Sequence, residues 1–243
     1  MSKFTPELAS STSTPPTTSS YWVVPKLLLA GAYPGDPDPD EHHLKVQSLM
    51  GAGIQTFVNL MEEHETDHAG KPFVPYLDLA ATLCPEVTCV RYPIRDLCVT
   101  TAANMTAILD AIDESLNAGR PVYVHCWGGV GRTGTVVGCW LLRHGLAEPS
   151  NVLDVLMRLR QQDRERRQRM SPETGEQQKF VRQWLCAVVT ISLNDPQAVR
   201  LDELAYTNVG DAMEDMVLYS KSGPCEPLEI KKAIVGYLGR TYQ

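Results

Sequence analysis

Apolar positions follow two rhythms along this chain. Short, nearly continuous apolar runs read as strands: Tyr21-Trp22-Val23-Val24, Lys26-Leu27-Leu28-Leu29-Ala30, Ile54–Leu60, Val87–Tyr92 and Pro121–His125. Pro93 stops the fourth run, and the fifth has the character of a strand covered on both faces. Other stretches carry helical spacing. From about Asp40, Val46, Leu49 and Met50 share a face, and Gly51 and Gly53 end the helix. Thr101 can cap a helix whose inner face is Met105, Ile108, Leu109, Ile112 and Leu116, with Gly119 as its stop. A helix from about Gly134 to Arg143 is apolar nearly all round, which predicts a central position. Two more follow. One starts after Pro149-Ser150, with Val152, Val155, Leu156 and Leu159 inward; the other starts near Ser171-Pro172, with Phe180, Val181, Trp184, Leu185 and Val188 inward.

This order of β-α-β units and then helices predicts a three-layer α/β/α domain over residues 21–190, around a central, mostly parallel sheet. Residues 1–20 are mostly Ser, Thr and Pro and are expected to be a disordered tail. Residues 191–243 are expected to form a helical extension, with Ile230, Ala233, Ile234, Tyr237 and Leu238 on one apolar face.

Composition narrows the function classes. A net charge of −7 argues against nonspecific nucleic-acid binding, which needs basic patches. No apolar run approaches membrane-spanning length, and the N-terminus lacks the basic-then-apolar layout of a signal peptide. Seven cysteines without a C-x-x-C pair point to a reducing compartment, the cytoplasm by default.

The chemistry concentrates in His125-Cys126-Trp127-Gly128-Gly129-Val130-Gly131-Arg132-Thr133, between the fifth strand and the central helix. A phosphate dianion needs donors converging from one side. Glycines let successive backbone N–H groups curl inward, at a helix N-terminus that already favours an anion. The Arg132 guanidinium adds a planar fork for two phosphate oxygens. Donors that hold a phosphate also stabilise a sulfur anion at Cys126. Thr133 is placed to hydrogen-bond that sulfur, and His125 to bond backbone near it. Arginine at a helix start opposes the dipole, so it is the member least easily explained as mere structure.

The pattern Cys126-x5-Arg132-Thr133, preceded by His125, resembles the active-site loop of the cysteine-dependent protein-tyrosine phosphatases, and the chain is most similar to their compact dual-specificity branch. The resemblance covers roughly Tyr21 to Thr190. It implies a phosphocysteine intermediate, phosphate binding by Trp127, Gly128, Gly129, Val130, Gly131 and Arg132, and neither metal nor cofactor. A sulfurtransferase also uses cysteine in an anion-binding loop, but fits this spacing less well.

Such an enzyme needs a proton donor for the leaving oxygen. Asp96, in the segment Tyr92–Leu97 after the fourth strand, resembles the family's acid in position; the bland alternative is a turn residue. Gln177 is similar to a group that orients the hydrolytic water, with Gln178 as its alternative. Thr174-x-x-Gln177 also reads as a capping box. Asn59 could bind the loop from behind, and Glu62 or Glu63 could orient Arg132.

The residues between Cys126 and Arg132 carry no charge, whereas relatives acting on highly phosphorylated inositol lipids often carry lysines there. The expected partner is therefore a phosphorylated protein, with Trp127 as an aromatic wall for phosphotyrosine. Phosphoinositides, inositol phosphates and RNA 5′-phosphates are the alternative substrates. A phosphate-binding pseudophosphatase would have lost Cys126, Arg132 or the acid. Arg158, Arg160, Arg164, Arg166, Arg167 and Arg169 read as a solvated face tempered by Asp163 and Glu165, or else as a field attracting phosphorylated substrates. Cys84, Cys89 and Cys98 are candidates to trap an oxidised Cys126 as a disulfide.

Overall fold

The computed structural model describes residues 6–187, 204–206, 219–220 and 223–224. One compact unit runs from Met1 to Arg182 and a second from Gln183 to Gln243. The first is built on a five-stranded sheet. Its strands are β1 (Ser20–Val24), β2 (Leu28–Gly31), β3 (Thr56–Asn59), β4 (Thr88–Arg91) and β5 (Val122–His125), in the order β1-β2-β5-β3-β4. β1 pairs antiparallel with β2, and the other pairings are parallel. The expected mostly parallel α/β architecture is therefore present.

Topology decides where the helices go. The connections β2-α1-β3 and β3-α2-β4, through α1 (Pro39–Gly51) and α2 (Leu77–Leu83), step the same way along the sheet. The connection from β4 to β5 through α3 (Ala102–Asn117) steps back. Right-handed crossovers then put α1 and α2 on one face and α3 on the other. The packing agrees: α1 packs on α2, and α3 packs on α4 (Gly131–Arg143), which in turn packs on α5 (Val152–Leu159). The helix α6 (Gly175–Gln183) completes the unit. Thr101 caps α3 as expected, its hydroxyl accepting from the Asn104 N–H.

Every residue of α4 from Gly131 to Leu141 is buried, which its all-round apolar character required. Trp140 is fully enclosed and donates its indole N–H to Asp113 at 2.8 Å. β5 is buried throughout and lies between β2 and β3, with Val124 in register with both Ala30 and Val58. It ends at the point where the chain's steps along the sheet change direction. The carboxyl ends of strands beside such a reversal form a crevice, so the loops after β2, β3, β4 and β5 converge there.

Three expectations need correction. Residues 6–20 do not stand apart as a tail. The Ala9 N–H donates to the Val23 carbonyl at 3.0 Å, Ala9 and Ser19 are buried, and the Ala32 N–H donates to the Ser19 carbonyl at 3.0 Å. Hydroxyls from Ser10, Thr12, Thr17 and Ser20 close local turns, so this apolar-poor segment satisfies its polar groups while covering the edge strand β1. Second, α2 has no counterpart among the expected elements; it is short, and only its Ala80 is buried. Third, Leu185 is not helical. It opens β6 (Leu185–Ala187), which pairs with β7 (Leu204–Tyr206), while β8 (Tyr219–Ser220) pairs with β9 (Gly223–Pro224). Val188 and the apolar positions expected on a C-terminal helix, Ile230 to Leu238, lie outside the described residues.

The arginine-rich segment is also not uniformly solvated. Arg160 is fully buried and pairs with Asp163 at 3.0 Å, while Nη2 and Nη1 also donate to the Arg166 and Arg169 carbonyls and Nε makes no hydrogen bond among the described residues. Next to it, Gln162 brackets Trp22, accepting from its N–H and donating to its carbonyl, both at 3.0 Å. These bonds fasten the chain after α5 to β1. Removing one partner of a buried ion pair strands the other's charge. Asp163→Ala should therefore cost about 3–5 kcal/mol in urea unfolding. A loss within the range of an exposed pair, below about 1 kcal/mol, would contradict this account.

Candidate active site

The loop between β5 and α4 is shaped by a close approach to β2. Gly129 has φ 69°, and a β-carbon there would run into the Gly31 carbonyl carbon and sit 2.6 Å from Ala32 N. Glycine at this position thus meets both a left-handed backbone and contact with the neighbouring chain. The Tyr33 N–H holds the Trp127 carbonyl at 2.9 Å, and the Ser171 hydroxyl holds the Val130 carbonyl at 2.7 Å. These two bonds pin the loop's carbonyls at both ends, to the chain after β2 and to the chain before α6. Cys126 lies in this loop and is 2 % exposed.

His125 is fully buried, and its hydrogen-bond chain has a single consistent direction. Burial, the largest influence, lowers its pKa from 6.5 to about 3, so the ring is neutral. Its Nε2 lies 2.7 Å from the Tyr76 hydroxyl and its Nδ1 3.4 Å from the Cys126 carbonyl. A carbonyl only accepts, so Nδ1 carries the proton and Nε2 accepts from Tyr76. The Tyr76 oxygen in turn faces Cys89 Sγ at 3.7 Å. His125 therefore bonds backbone beside Cys126, as its position in the sequence implies.

Arg132 is 1 % exposed and joins three loops. Glu65 grips it with both carboxylate oxygens, Nη1 through a short contact and Nη2 at 3.0 Å. Nη1 also donates to the Ile94 carbonyl at 3.0 Å, and Nη2 pairs with Asp96 at 3.0 Å. Burial is the largest influence and works against this charge, but the Glu65 bonds together with the neighbouring Cys126, Glu65 and Asp96 groups outweigh it, and the Arg132 pKa is raised. The orienting glutamate is thus Glu65, whereas the sequence pointed to Glu62 or Glu63. A turn explains the difference. The Glu62 N–H donates to Glu65 at 2.8 Å, which folds the Glu65 carboxylate inward and leaves Glu62 and Glu63 exposed.

In the first turn of α4, Arg132 Nε and the Thr133 hydroxyl are buried and make no hydrogen bond among the described residues, as is also true of Tyr21 OH and Arg160 Nε. A buried donor without a partner is costly, and it marks a place built for something else.

The remaining expected residues divide. Asp96 reaches Arg132 and is about half exposed. Asn59 lies under the site, but its side chain accepts from the Met61 N–H at 2.9 Å instead of meeting the loop after β5. Gln177 is fully buried. Its Oε1 accepts from Glu173 and Thr174, and its own N–H bonds the Thr174 hydroxyl, so the capping-box pattern is present; its Nε2 donates to the Cys98 carbonyl. Gln178 donates to the Pro172 carbonyl. Cys84, Cys89, Cys98 and Cys126 all carry free thiols. Trp127 packs its ring tilted against His68 and edge-on against Phe73, with centroids 4.4 and 5.4 Å away, and Phe73 meets Tyr33. A cleft of about 410 Å³, lined by Tyr33, Phe73, Asn59, Glu62, Glu65 and Arg91 among others, adjoins this aromatic group.

The family model for a Swiss Army Knife protein domain of DSP-PTPase phosphatase type matches residues 17–181. The chain belongs to the dual-specificity type of cysteine-dependent protein-tyrosine phosphatases. A putative tyrosine phosphatase of Invertebrate iridescent virus 3 is 32% identical over 129 residues, covering 51% of this chain and 45% of the relative. An uncharacterized protein of Methanocaldococcus jannaschii is 36% identical over 100 residues, covering 41% and 61%. The chain thus spans about half to three-fifths of these relatives' lengths. The solved structure of kinase associated phosphatase, with its catalytic cysteine replaced by serine, has the same fold. It is 23% identical with a TM-score of 0.51, covering 63% of this chain and 83% of that one.

The neutral His125 makes acid stability a readout of this site. The unfolded chain takes up the histidine proton near pH 6.5, and the folded chain only near 3. Stability attributable to His125 is therefore intact above 6.5 and is lost as pH falls toward 3. In urea melts across that window the wild type should lose more stability than His125→Gln. Equal losses would contradict a buried neutral ring.

Proposed function

We propose that this chain hydrolyses phosphotyrosine in proteins, with phosphoserine and phosphothreonine as further substrates, through a phosphocysteine intermediate and without a metal. The observation that carries the reading is the pair of unpartnered buried groups, Arg132 Nε and the Thr133 hydroxyl, in the first turn of α4, the helix that the loop carrying the buried Cys126 leads into. Each has a task in phosphoryl transfer. The guanidinium edge formed by Nε and Nη2 binds two phosphate oxygens, while Glu65 fixes the guanidinium from Nη1 and Nη2. The loop N–H groups from Trp127 to Gly131 hold the others.

The thiolate sulfur of Cys126 attacks phosphorus, and the P–O bond to the tyrosine breaks. Asp96 gives its proton to the leaving oxygen. Water then attacks the phosphocysteine, Asp96 takes the water's proton, and inorganic phosphate leaves as the sulfur regains its negative charge. The Thr133 hydroxyl donates to that sulfur as the S–P bond breaks. In the resting enzyme Asp96 pairs with Nη2, and the incoming phosphate takes over that donor and frees the carboxyl for proton transfer.

Two features favour a protein substrate. Trp127, His68, Phe73 and Tyr33 form an aromatic wall suited to a phenyl ring. The adjoining loop carries Glu62, Glu63, Glu65 and Asp67, a field that repels multiply phosphorylated inositols. A lipid phosphate is the second reading. It is favoured by 29% identity over 122 residues to a phosphatidylglycerophosphate phosphatase of Arabidopsis thaliana, covering 50% of this chain and 46% of that relative. Among the described residues no helix is long and apolar enough to cross a membrane.

The test compares kcat/KM for phosphotyrosyl, phosphoseryl and phosphothreonyl peptides, phosphatidylglycerophosphate and inositol phosphates. Phosphotyrosyl peptide should lead the non-protein substrates by at least about tenfold, which is ~1.4 kcal/mol of transition-state binding. A lipid or inositol phosphate in the lead would overturn the substrate class. Cys126→Ser should abolish turnover of every substrate, and activity that survives it would overturn the mechanism.

A further inference from the structure

The segment that carries Asp96 is strained, and it is tied to α6. Leu97, the residue after Asp96, has φ 61°, a left-handed conformation unusual for leucine, and its side chain is 51 % exposed. Such a backbone persists only where its surroundings fix it. Here one local bond closes the turn, Cys98 N–H to the Arg95 carbonyl at 3.1 Å. Two more come from the first turn of α6: Gln177 Nε2 donates to the Cys98 carbonyl at 3.1 Å, and the Thr174 hydroxyl to the Leu97 carbonyl at 3.4 Å. Gln177 also touches the phosphate loop. A β-carbon at Gly131 would lie 3.0 Å from its Oε1 and 3.2 Å from its Nε2. One buried amide thus touches both the loop that would hold the phosphate and the turn that would deliver the proton.

We propose that Gln177 and Thr174 are positioning residues that latch the Asp96 turn to α6 and set the acid against the leaving group. The inference rests on the assignment of Asp96 as the acid. It gives Gln177 a different task from orienting water. Its Oε1 is committed to the Glu173 and Thr174 N–H groups and one Nε2 hydrogen to the Cys98 carbonyl, so the capping box and the latch occupy the acceptor and one of the two donors of the amide.

The capping and latching bonds can be separated by substitution. Gln177→Glu keeps the acceptor for the capping N–H groups and removes the donor to Cys98. Thr174→Asp keeps the acceptor for Gln177 N–H and removes the donor to Leu97. Both are assayed with phenyl phosphate, whose leaving group is strongly basic and needs the proton, and with para-nitrophenyl phosphate, whose leaving group needs it far less. Asp96→Asn should lower kcat/KM for phenyl phosphate by about 100-fold, the usual weight of a general acid, with a much smaller loss on the nitrophenyl ester. Gln177→Glu should shift the ratio between the two substrates in the same direction by about tenfold, part of that acid contribution. In the Asp96→Asn background it should shift the ratio no further, since the two residues act through one proton. Thr174→Ser, which retains both bonds, should behave as wild type.

An equal loss on both substrates would overturn the latch. So would a fall in kcat with kcat/KM unchanged and a burst of phenol, the signature of a group that serves the hydrolytic water. If Asp96→Asn itself shows no leaving-group dependence, the acid assignment falls and the latch with it, an outcome recognisable because it does not depend on Gln177. Thermal melting accompanies each variant; should Gln177→Glu fail to fold, Thr174→Asp carries the same comparison.

Discussion

The buried guanidinium of Arg132 is the constraint on which the site depends. A charge enclosed to this degree is unfavourable unless its donors are met, and here both terminal nitrogens are met from two loops. Glu65 comes from the loop after β3, while the Ile94 carbonyl and Asp96 come from the loop after β4. Arg132 lies in the first turn of α4, so these contacts fix the loops against the loop after β5 and aim the guanidinium's remaining edge. The arrangement is satisfied on the Glu65 side and open at Nε, an asymmetry that gives the cup its direction. Helix dipoles disfavour arginine in a first turn, and the Glu65 carboxylate is what makes the residue tolerable there.

Sheet topology makes these meetings possible. β5 lies between β2 and β3, so the loop it feeds touches the end of β2 on one side and the end of β3 on the other. Contact with β2 is so close that only a glycine fits at Gly129. On the β3 side, the Leu60 N–H donates to the His125 carbonyl at 2.9 Å and the Ile94 N–H donates to the Leu60 carbonyl at 3.0 Å, so pairing continues past the strands to the floor of the site. Behind the loop, Ser171 holds Val130 from the chain before α6. That chain is in turn anchored through the buried Arg160–Asp163 pair and the Gln162 clamp on Trp22. Pieces far apart in sequence thus converge on the segment from Cys126 to Thr133.

Much of this was legible in the sequence because it follows from periodicity and local chemistry. The five strands, the Thr101 cap and the all-round apolar helix after Gly131 appear where the pattern puts them. The Cys126-to-Thr133 loop announced itself by its glycines and by an arginine in an unfavourable place. What was not legible depends on tertiary choice. Glu62, Glu63 and Glu65 all follow β3 closely, and nothing local says that a turn will fold Glu65 inward and leave Glu62 and Glu63 out. Residues 6–20 are too poor in apolar side chains to signal packing, yet hydroxyl-closed turns let them cover an edge strand. Arg160 read as one of six surface arginines, and its burial depends on carbonyls that only the folded chain presents. Gln177 satisfied two patterns at once; the capping box is visible in the fold, and the bond to Cys98 came from a segment 79 residues away.

The central claim is that Cys126 carries the phosphoryl group between substrate and water. It is tested most directly by rapid acid quench of the enzyme turning over a phosphotyrosyl peptide, followed by mass spectrometry of the Cys126 peptide. The account predicts a phosphoryl adduct on Cys126 that appears with the burst of product and is absent from Cys126→Ser. Full turnover with no adduct at that sulfur, or an adduct on another residue, would contradict it.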